Sequence, residues 1–188
     1  MPRRQIVFRS GQYYHIYNQG AGGQPIFHEE ENYRYLLRLL KKIAHECHVS
    51  VIAYCLLPNH YHWLLRQDQD TEAGMVPRRV FGSYTQAFNR RYNRRGTLFG
   101  GRFQAKLVDN DIYLRHLCRY IHWNPVRHGI VSAPEQWPFS NYLDWIGARR
   151  GSLLDHAFVQ TYFPDLEAYR RSMQNETELP GSWELPGS

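Results

Sequence analysis

The chain has 188 residues, a length typical of one domain, and a formal net charge of +6 at pH 7, which favours an anionic partner such as nucleic acid without identifying one. No apolar run is long enough for a transmembrane helix, and neither a signal peptide nor a low-complexity stretch is recognisable, so we expect a cytoplasmic protein without a membrane partner. The three cysteines lack the spacing of a metal site, which predicts reduced, partly buried thiols.

The first third of the chain predicts a strand, a helix and a hairpin. Residues 12–18 alternate as in a half-buried strand, and residues 29–48 carry apolar side chains at helical spacing. Two apolar runs follow at 51–57 and 60–65. The intervening Pro58-Asn59 is a natural turn, which predicts a β-hairpin.

Two histidines on the second strand of this hairpin form a candidate metal site. Alternate side chains of a strand share one face, so His60 and His62 would lie roughly 7 Å apart on the same side. Two imidazoles at that separation can converge on one divalent cation if a third ligand approaches. Two surface histidines on a half-exposed strand are the alternative interpretation. Other histidines are interpreted as surface or capping residues rather than ligands, including His15, His28, His45 and His48.

The segment from residue 78 to residue 106 is basic and contains no Asp or Glu. Residues 76–92 predict a helix, Gly96 marks its exit, and residues 104–108 predict a fourth strand. Aromatic residues interleave with the charges, and single strands are commonly held by phosphate attraction together with base stacking. A solvated helix face with its aromatic residues in the core is the alternative. The residues predicted to contact DNA are Arg78, Arg79, Arg90, Arg91, Arg94, Arg95, Arg102 and Lys106.

A third predicted helix carries a row of polar side chains. Apolar residues recur at helical spacing from 114 to 121, residue 109 or 110 is a suitable N-cap, and Pro125 is expected to end the helix before Asn124. His116, Tyr120 and Asn124 lie four residues apart, one above another on the helix surface. Tyr120 and Asn124 can therefore present a phenol and a carboxamide oxygen to the same volume. A half-buried packing tyrosine is the alternative.

Three motifs in this order resemble those of the REP-associated tyrosine transposases, single-tyrosine members of the HUH (His-hydrophobic-His) nucleases and transposases. They are Pro-x-His-x-His at 58–62, Leu-Phe-x-x-Arg-Phe at 98–103 and Tyr-Ile-x-x-Asn-Pro-Val-Arg-x-Gly at 120–129, and the resemblance runs from about residue 11 to residue 142. It implies that His60 and His62 hold the metal, that Tyr120 is the nucleophile and that Asn124 completes the metal site. Tyr61 departs from the usual aliphatic residue, and we expect it to alter packing only.

The resemblance implies a metal-dependent DNA strand transferase that cuts and rejoins single-stranded hairpin DNA, a repetitive extragenic palindrome (REP), through a 5′-phosphotyrosine. Mixed nitrogen and oxygen ligands favour Mg²⁺ or Mn²⁺. The chain would be a monomer or a homodimer, associated with the nucleoid of a prokaryote. Two alternatives stay open: a non-catalytic regulatory protein that binds hairpin DNA, and a metal-dependent nuclease that uses water while Tyr120 only packs.

The predicted order of strand, helix, strand, strand, helix, strand, helix is that of the ferredoxin-like, split βαβ fold. This is an α+β fold with a central antiparallel sheet, and we expect its helices on one face and the nucleophile on a C-terminal helix. The domain would occupy residues 1–145. An extension over 146–188 would contain one or two short helices interrupted at Pro164 and end in a Pro/Gly-rich tail.

Overall fold

The computed structural model describes residues 6–174. Within these residues, four strands form one sheet, and six α-helices surround it. The strands are β1 (Tyr13–Gln19), β2 (Val49–Leu57), β3 (His60–Gln67) and β4 (Gln104–Val108). The longer helices are α1 (Glu30–Glu46), α2 (Met75–Arg91) and α3 (Asp111–Arg127), and the shorter ones are α4 (Tyr142–Trp145), α5 (His156–Tyr162) and α6 (Leu166–Ser172).

The sheet has the strand order β2-β3-β1-β4, and each neighbouring pair is antiparallel. Helix α1 connects β1 to β2, and β3 lies between these two strands in the sheet. Helix α2 connects β3 to β4, and β1 lies between them. Each βαβ unit is therefore split by a strand of the other unit. This arrangement confirms the predicted ferredoxin-like topology.

Helices cover both faces of the sheet, which corrects the prediction of one covered face. Helices α1 and α2 pack on one side, where they form a core with Ile16, Tyr61 and Trp63. Helix α3 and the C-terminal helices pack on the other side, against residues that include Cys55 and Leu64. The reason lies in β2, whose side chains are almost all apolar and are buried on both faces, and a strand that is apolar on both sides must be covered on both sides.

Helix α3 is longer than the sequence predicts. The side chain of Asn110 caps it by accepting a hydrogen bond from the backbone N–H of Tyr113 at 2.8 Å. Pro125 was expected to stop the helix, but it lies inside the last turn. Proline removes a single donor from the helical ladder, and the N–H of His128 still donates to the carbonyl of Asn124 at 3.0 Å. Asn124 is therefore held in helical conformation facing the sheet.

The C-terminal helices pack against the same core as α3. Helices α5 and α6 lie on either side of Pro164, as predicted, and contribute Phe158, Tyr169 and Met173 to that core. The domain boundary at residue 145 stays a prediction, and the tail predicted over 178–188 lies outside the described residues. The three cysteines Cys47, Cys55 and Cys118 are buried and free, as predicted. Within residues 6–174, no helix combines the length and apolarity needed to cross a membrane.

Candidate active site

Strand β3 places His60 and His62 on the face of the sheet that helix α3 covers. The two rings have centroids 5.3 Å apart and planes at 88° to each other. Both side chains are buried, with 7% of His60 and 2% of His62 exposed. The intervening Tyr61 points to the opposite face, where its ring stacks on Phe81 with centroids 4.4 Å apart. The expected packing role of Tyr61 is therefore confirmed.

Helix α3 brings Tyr120 and Asn124 against the two histidines. The ring centroid of Tyr120 lies 5.4 Å from that of His62, and Asn124 Oδ1 lies 3.5 Å from His60 Nε2. Tyr120 is 6% exposed and Asn124 is fully buried. The four residues singled out in the sequence analysis therefore lie in one place, although they come from two elements about 60 residues apart.

The hydrogen bonds around His60 determine which ring nitrogen carries the proton. The amide nitrogen of Asn59 donates to the carbonyl of Gly23, so its oxygen is the atom that lies 2.7 Å from His60 Nδ1. Because a contact that short requires a donor, Nδ1 carries the hydrogen and Nε2 keeps its lone pair. The amide nitrogen of Asn124 donates to the carbonyl of Tyr120 at 3.3 Å. Two acceptors, His60 Nε2 and Asn124 Oδ1, therefore face each other.

This donor set fits a divalent cation. A cation between His60 Nε2 and Asn124 Oδ1 would satisfy both lone pairs, and His62 Nε2 is buried with no hydrogen-bond partner among residues 6–174. The described part of the chain contains no group of three or more His, Cys, Asp or Glu side chains that could hold a metal ion. A metal at this place would therefore take an amide oxygen as its third protein ligand, and such mixed ligands are compatible with Mg²⁺ or Mn²⁺.

Burial keeps both histidines neutral. The pKa of His60 is lowered to about 4, mainly by loss of solvation and to a smaller extent by the nearby His128. Burial also lowers the pKa of His62 well below its ordinary value, with a smaller contribution from His15. Since a neutral imidazole is the form that binds metal ions, the histidines are ready to act as ligands at neutral pH.

Burial prepares the histidines for metal binding, but it makes the hydroxyl of Tyr120 harder to ionise. Desolvation raises the pKa of its hydroxyl above the usual value, while a hydrogen bond to Asn124 and the charge of Arg127 act against this rise. The guanidinium carbon of Arg127 lies 5.6 Å from the centre of the Tyr120 ring. The hydroxyl therefore stays protonated at neutral pH, and its activation requires a bound group that stabilises negative charge.

Two further histidines lie beside the site. The prediction that His15 is a surface or capping residue is wrong: His15 is fully buried, and its Nε2 lies 3.0 Å from His62 Nδ1. His128 is exposed, and its ring centroid lies 4.7 Å from that of His60. His15 could have been found from the strand pairing, because it lies on β1, one strand from His62, but the pairing register is not visible in the sequence.

The predicted DNA-contacting residues separate into two groups. Arg79 forms an ion pair with Glu46, and Arg91 forms one with Glu29. Arg78 and Arg102, in contrast, line a cavity of about 1100 Å³ that has no acidic residue in its wall. The cavity lies between the loops that follow β1 and precede β4. Of the interleaved aromatic residues, Tyr84, Phe88 and Phe103 are buried in the core beneath α1 and α2, so they are not free to stack on bases.

The remaining predicted contacts belong to neither group. Lys106 pairs in register with His15, which places it on the same face as the histidine site. The guanidinium of Arg94 lies 5.7 Å from the centre of the Phe88 ring. Arg90 and Arg95 are exposed at the end of α2 and in the following loop.

Comparison with known proteins identifies the family. Residues 9–124 match the family model described as "Transposase IS200 like". The chain belongs to this family. A REP-associated tyrosine transposase of Escherichia coli K12 is 27% identical over 127 residues, which make up 61% of this chain and 73% of that protein. A Haemophilus influenzae protein that bears the same name provisionally is 30% identical over 103 residues, and the match spans 50% of this chain and 58% of that relative.

A solved structure supports the same assignment at the level of the fold. The structure of a REP-associated tyrosine transposase bound to a REP hairpin superposes with a TM-score of 0.67 at 21% sequence identity. The superposition covers 78% of this chain and 86% of that protein. The family resemblance predicted from the three motifs is therefore confirmed.

Proposed function

We propose that this member of the IS200-like transposase family is a DNA strand transferase that uses Tyr120 as its nucleophile. The observation that carries the proposal is the placement of a buried tyrosine beside His60 Nε2, His62 Nε2 and Asn124 Oδ1, three atoms of types that bind metal ions, on one side of the sheet. A protein that only binds DNA has no physical need for this combination.

In the proposed reaction, the hydroxyl oxygen of Tyr120 attacks a phosphodiester. A bond forms between this oxygen and phosphorus, the bond from phosphorus to the 3′ oxygen breaks, and the phenol proton is transferred to the leaving 3′ oxygen. The 5′-phosphotyrosine keeps the energy of the broken bond, so a 3′-hydroxyl can later displace Tyr120 without ATP. His60, His62 and Asn124 would hold Mg²⁺ or Mn²⁺, which when bound supplies Lewis-acid stabilisation of the phosphate charge.

The proposed substrate is single-stranded DNA folded into a REP-like hairpin. The support is the family assignment together with the REP hairpin bound in the solved structure of a REP-associated tyrosine transposase. A cavity lined by Arg78 and Arg102 and free of acidic wall residues can receive the phosphates of an unpaired strand. With such a substrate, the protein would act at the nucleoid. Its proposed oligomeric state is a monomer or a homodimer.

The deciding experiment is the capture of the covalent intermediate. A hairpin strand labelled at its 3′ end is incubated with the protein and Mn²⁺ and separated on a denaturing gel. We expect a labelled adduct with the unmodified protein, no adduct with Tyr120→Phe, and unchanged hairpin affinity in that variant. Tyr17→Phe is the matched control, because Tyr17 also lies near His62, with ring centroids 5.8 Å apart.

The same gel distinguishes the alternative functions. Cleavage without an adduct, unchanged in Tyr120→Phe, would indicate a nuclease that uses water. Hairpin binding with neither cleavage nor adduct would indicate a regulatory protein. An adduct that is lost in Tyr17→Phe but retained in Tyr120→Phe would show that Tyr17 on β1, rather than Tyr120 on α3, is the nucleophile.

A further inference from the structure

Strand β1 contributes one buried histidine to the site without contributing a ligand. His15 is fully buried, its ring is stacked against that of His62 at 17°, and the ring centroids are 5.2 Å apart. Its Nε2 lies 3.0 Å from His62 Nδ1. One of these two nitrogens must carry a hydrogen, because two lone pairs at that distance would repel each other.

The shared hydrogen has two positions with different consequences for His62. If His15 Nε2 donates, then His62 Nδ1 accepts, and the hydrogen of neutral His62 must be on Nε2, which cannot then bind a metal. If His62 Nδ1 donates, its Nε2 keeps a lone pair, and the hydrogen of neutral His15 is on Nδ1. His62 Nε2 and His15 Nδ1 are both buried without a hydrogen-bond partner in the described part of the chain, so protein contacts alone do not select a state.

We propose that His15 is a positioning residue that accepts a hydrogen bond from His62 Nδ1 and so holds His62 in the tautomer and orientation that bind the metal. The inference rests on the metal site of the proposed function. It gives His62 the same support that His60 has, because His60 Nδ1 donates to Asn59 Oδ1 at 2.7 Å. Each of the two histidine ligands then has Nδ1 engaged and Nε2 available.

The expected size of the effect follows from this role. Hydrogen-bond partners behind a metal ligand fix its orientation and raise its basicity, and their loss typically weakens metal affinity by about 10- to 100-fold. Replacing His15 with Phe keeps a planar ring in a fully buried position but removes the acceptor. Replacing it with Gln retains a side-chain oxygen that can accept from His62 Nδ1.

The test measures Mn²⁺ binding by isothermal titration calorimetry on the full chain after removal of metals, without DNA. We expect His15→Phe to weaken the affinity by about 10- to 100-fold and His15→Gln to restore most of it. His122→Phe is the matched control, because His122 is equally buried but bonds to Tyr169 and Asn141 rather than to a proposed ligand. We expect its Mn²⁺ affinity to stay within about twofold of the unmodified protein, since none of its bonds reaches the site.

The outcomes separate this inference from the proposed function. If Mn²⁺ binding is unaffected by His62→Ala, the metal site itself is wrong. If His62→Ala abolishes binding but His15→Phe binds as tightly as the unmodified protein, the metal site stands and the role of His15 is wrong. Should His15→Phe fail to fold, long-range ¹H–¹⁵N spectra of the unmodified metal-free protein decide: hydrogen on His62 Nδ1 supports the inference, and hydrogen on His62 Nε2 overturns it.

Discussion

In the proposed metal site, Asn124 is the one ligand that cannot ionise. Its amide nitrogen is occupied by the carbonyl of Tyr120, so its oxygen faces His60 Nε2. A carboxylate here would place a negative charge beside the Tyr120 hydroxyl and oppose its ionisation. The amide instead offers an oxygen to the proposed metal, and a side-chain hydrogen bond from Asn124 lowers the pKa of the Tyr120 phenol, against the effect of burial.

Replacing Asn124 with Leu tests this double role. The variant keeps a side chain of similar volume but loses the oxygen, so we expect weaker Mn²⁺ affinity and little covalent adduct, with hairpin affinity retained. Calorimetry and the denaturing gel measure the two losses separately. If Mn²⁺ affinity is unchanged in Asn124→Leu but lost in His60→Ala, Asn124 does not belong to the ligand set.

The residue-level site was predictable where it depends on local spacing. The His-x-His spacing on a strand places His60 and His62 on one face, and the four-residue spacing of Tyr120 and Asn124 places them on one side of a helix. The contact of His15 with His62 was not predictable in this way. It depends on which residue of β3 lies beside it, and that register is determined by tertiary packing rather than by any local pattern.

At the scale of elements, helix α2 shows why a run of basic residues does not by itself define a binding surface. Two of its arginines point towards α1, where Glu46 pairs with Arg79 and Glu29 pairs with Arg91. These acidic partners lie at the two ends of α1, with Glu29 as its N-cap and Glu46 as its last residue. The sequence therefore predicts the charge of this segment but not which of its charges remain available to phosphate.

The salt dependence of DNA binding distinguishes the two groups of arginines. Each phosphate contact on a single strand contributes about −0.7 to the slope of log affinity against log salt. We expect the double variant Arg78→Ala/Arg102→Ala to flatten the slope by about 1.4 if both side chains touch phosphate. The matched double variant Arg79→Ala/Arg91→Ala, which removes ion-paired arginines, should flatten it less. Equal changes in the two variants would mean that net charge, rather than the cavity, determines affinity.

Helix α3 shows a limit of element prediction from local signals. Proline disfavours the helical conformation of the residue before it, so the sequence predicts that the helix ends before Asn124. The last turn nevertheless forms, because tertiary contacts hold it. Asn124 and Pro125 are both buried beneath neighbouring elements, and the bond from His128 to Asn124 closes the turn. Since packing outweighs the local preference here, Tyr120 and Asn124 keep the helical spacing that aligns them with β3.

At the scale of the whole molecule, covering both faces of the sheet buries four histidines. His15, His60, His62 and His122 are all on the α3 side, and none is more than 7% exposed. An exposed sheet face would have left the proposed ligands solvated and able to take up protons in weak acid. The second helical layer therefore keeps the site neutral, and it makes the stability of the whole fold depend on pH.

Acid should destabilise the metal-free protein before its carboxylates titrate. Burial lowers the pKa of His122 and of His60 to about 4 and that of His15 to about 3, whereas an unfolded histidine titrates near 6.5. Between these values the unfolded chain binds protons that the folded chain excludes, so the free energy of unfolding falls as pH decreases through 6.5. From pH 7 to pH 5.5, each such histidine should contribute a loss of about 1 kcal/mol.

Urea unfolding in EDTA at pH 7 and pH 5.5 measures this loss, and His122→Gln shows whether the buried histidines cause it. His122 is not a proposed metal ligand, and its ring nitrogens are hydrogen-bonded to Tyr169 and Asn141. Its replacement therefore leaves the proposed metal ligands unchanged. The variant should be less stable at pH 7, but its loss between the two pH values should be smaller by about 1 kcal/mol, because one titrating group is gone. The same loss in both proteins would show that His122 is protonated in the folded state as easily as in the unfolded chain. Helix α3 and the C-terminal helices would then not exclude water from this core, and the neutrality of His60 and His62 would need a cause other than burial.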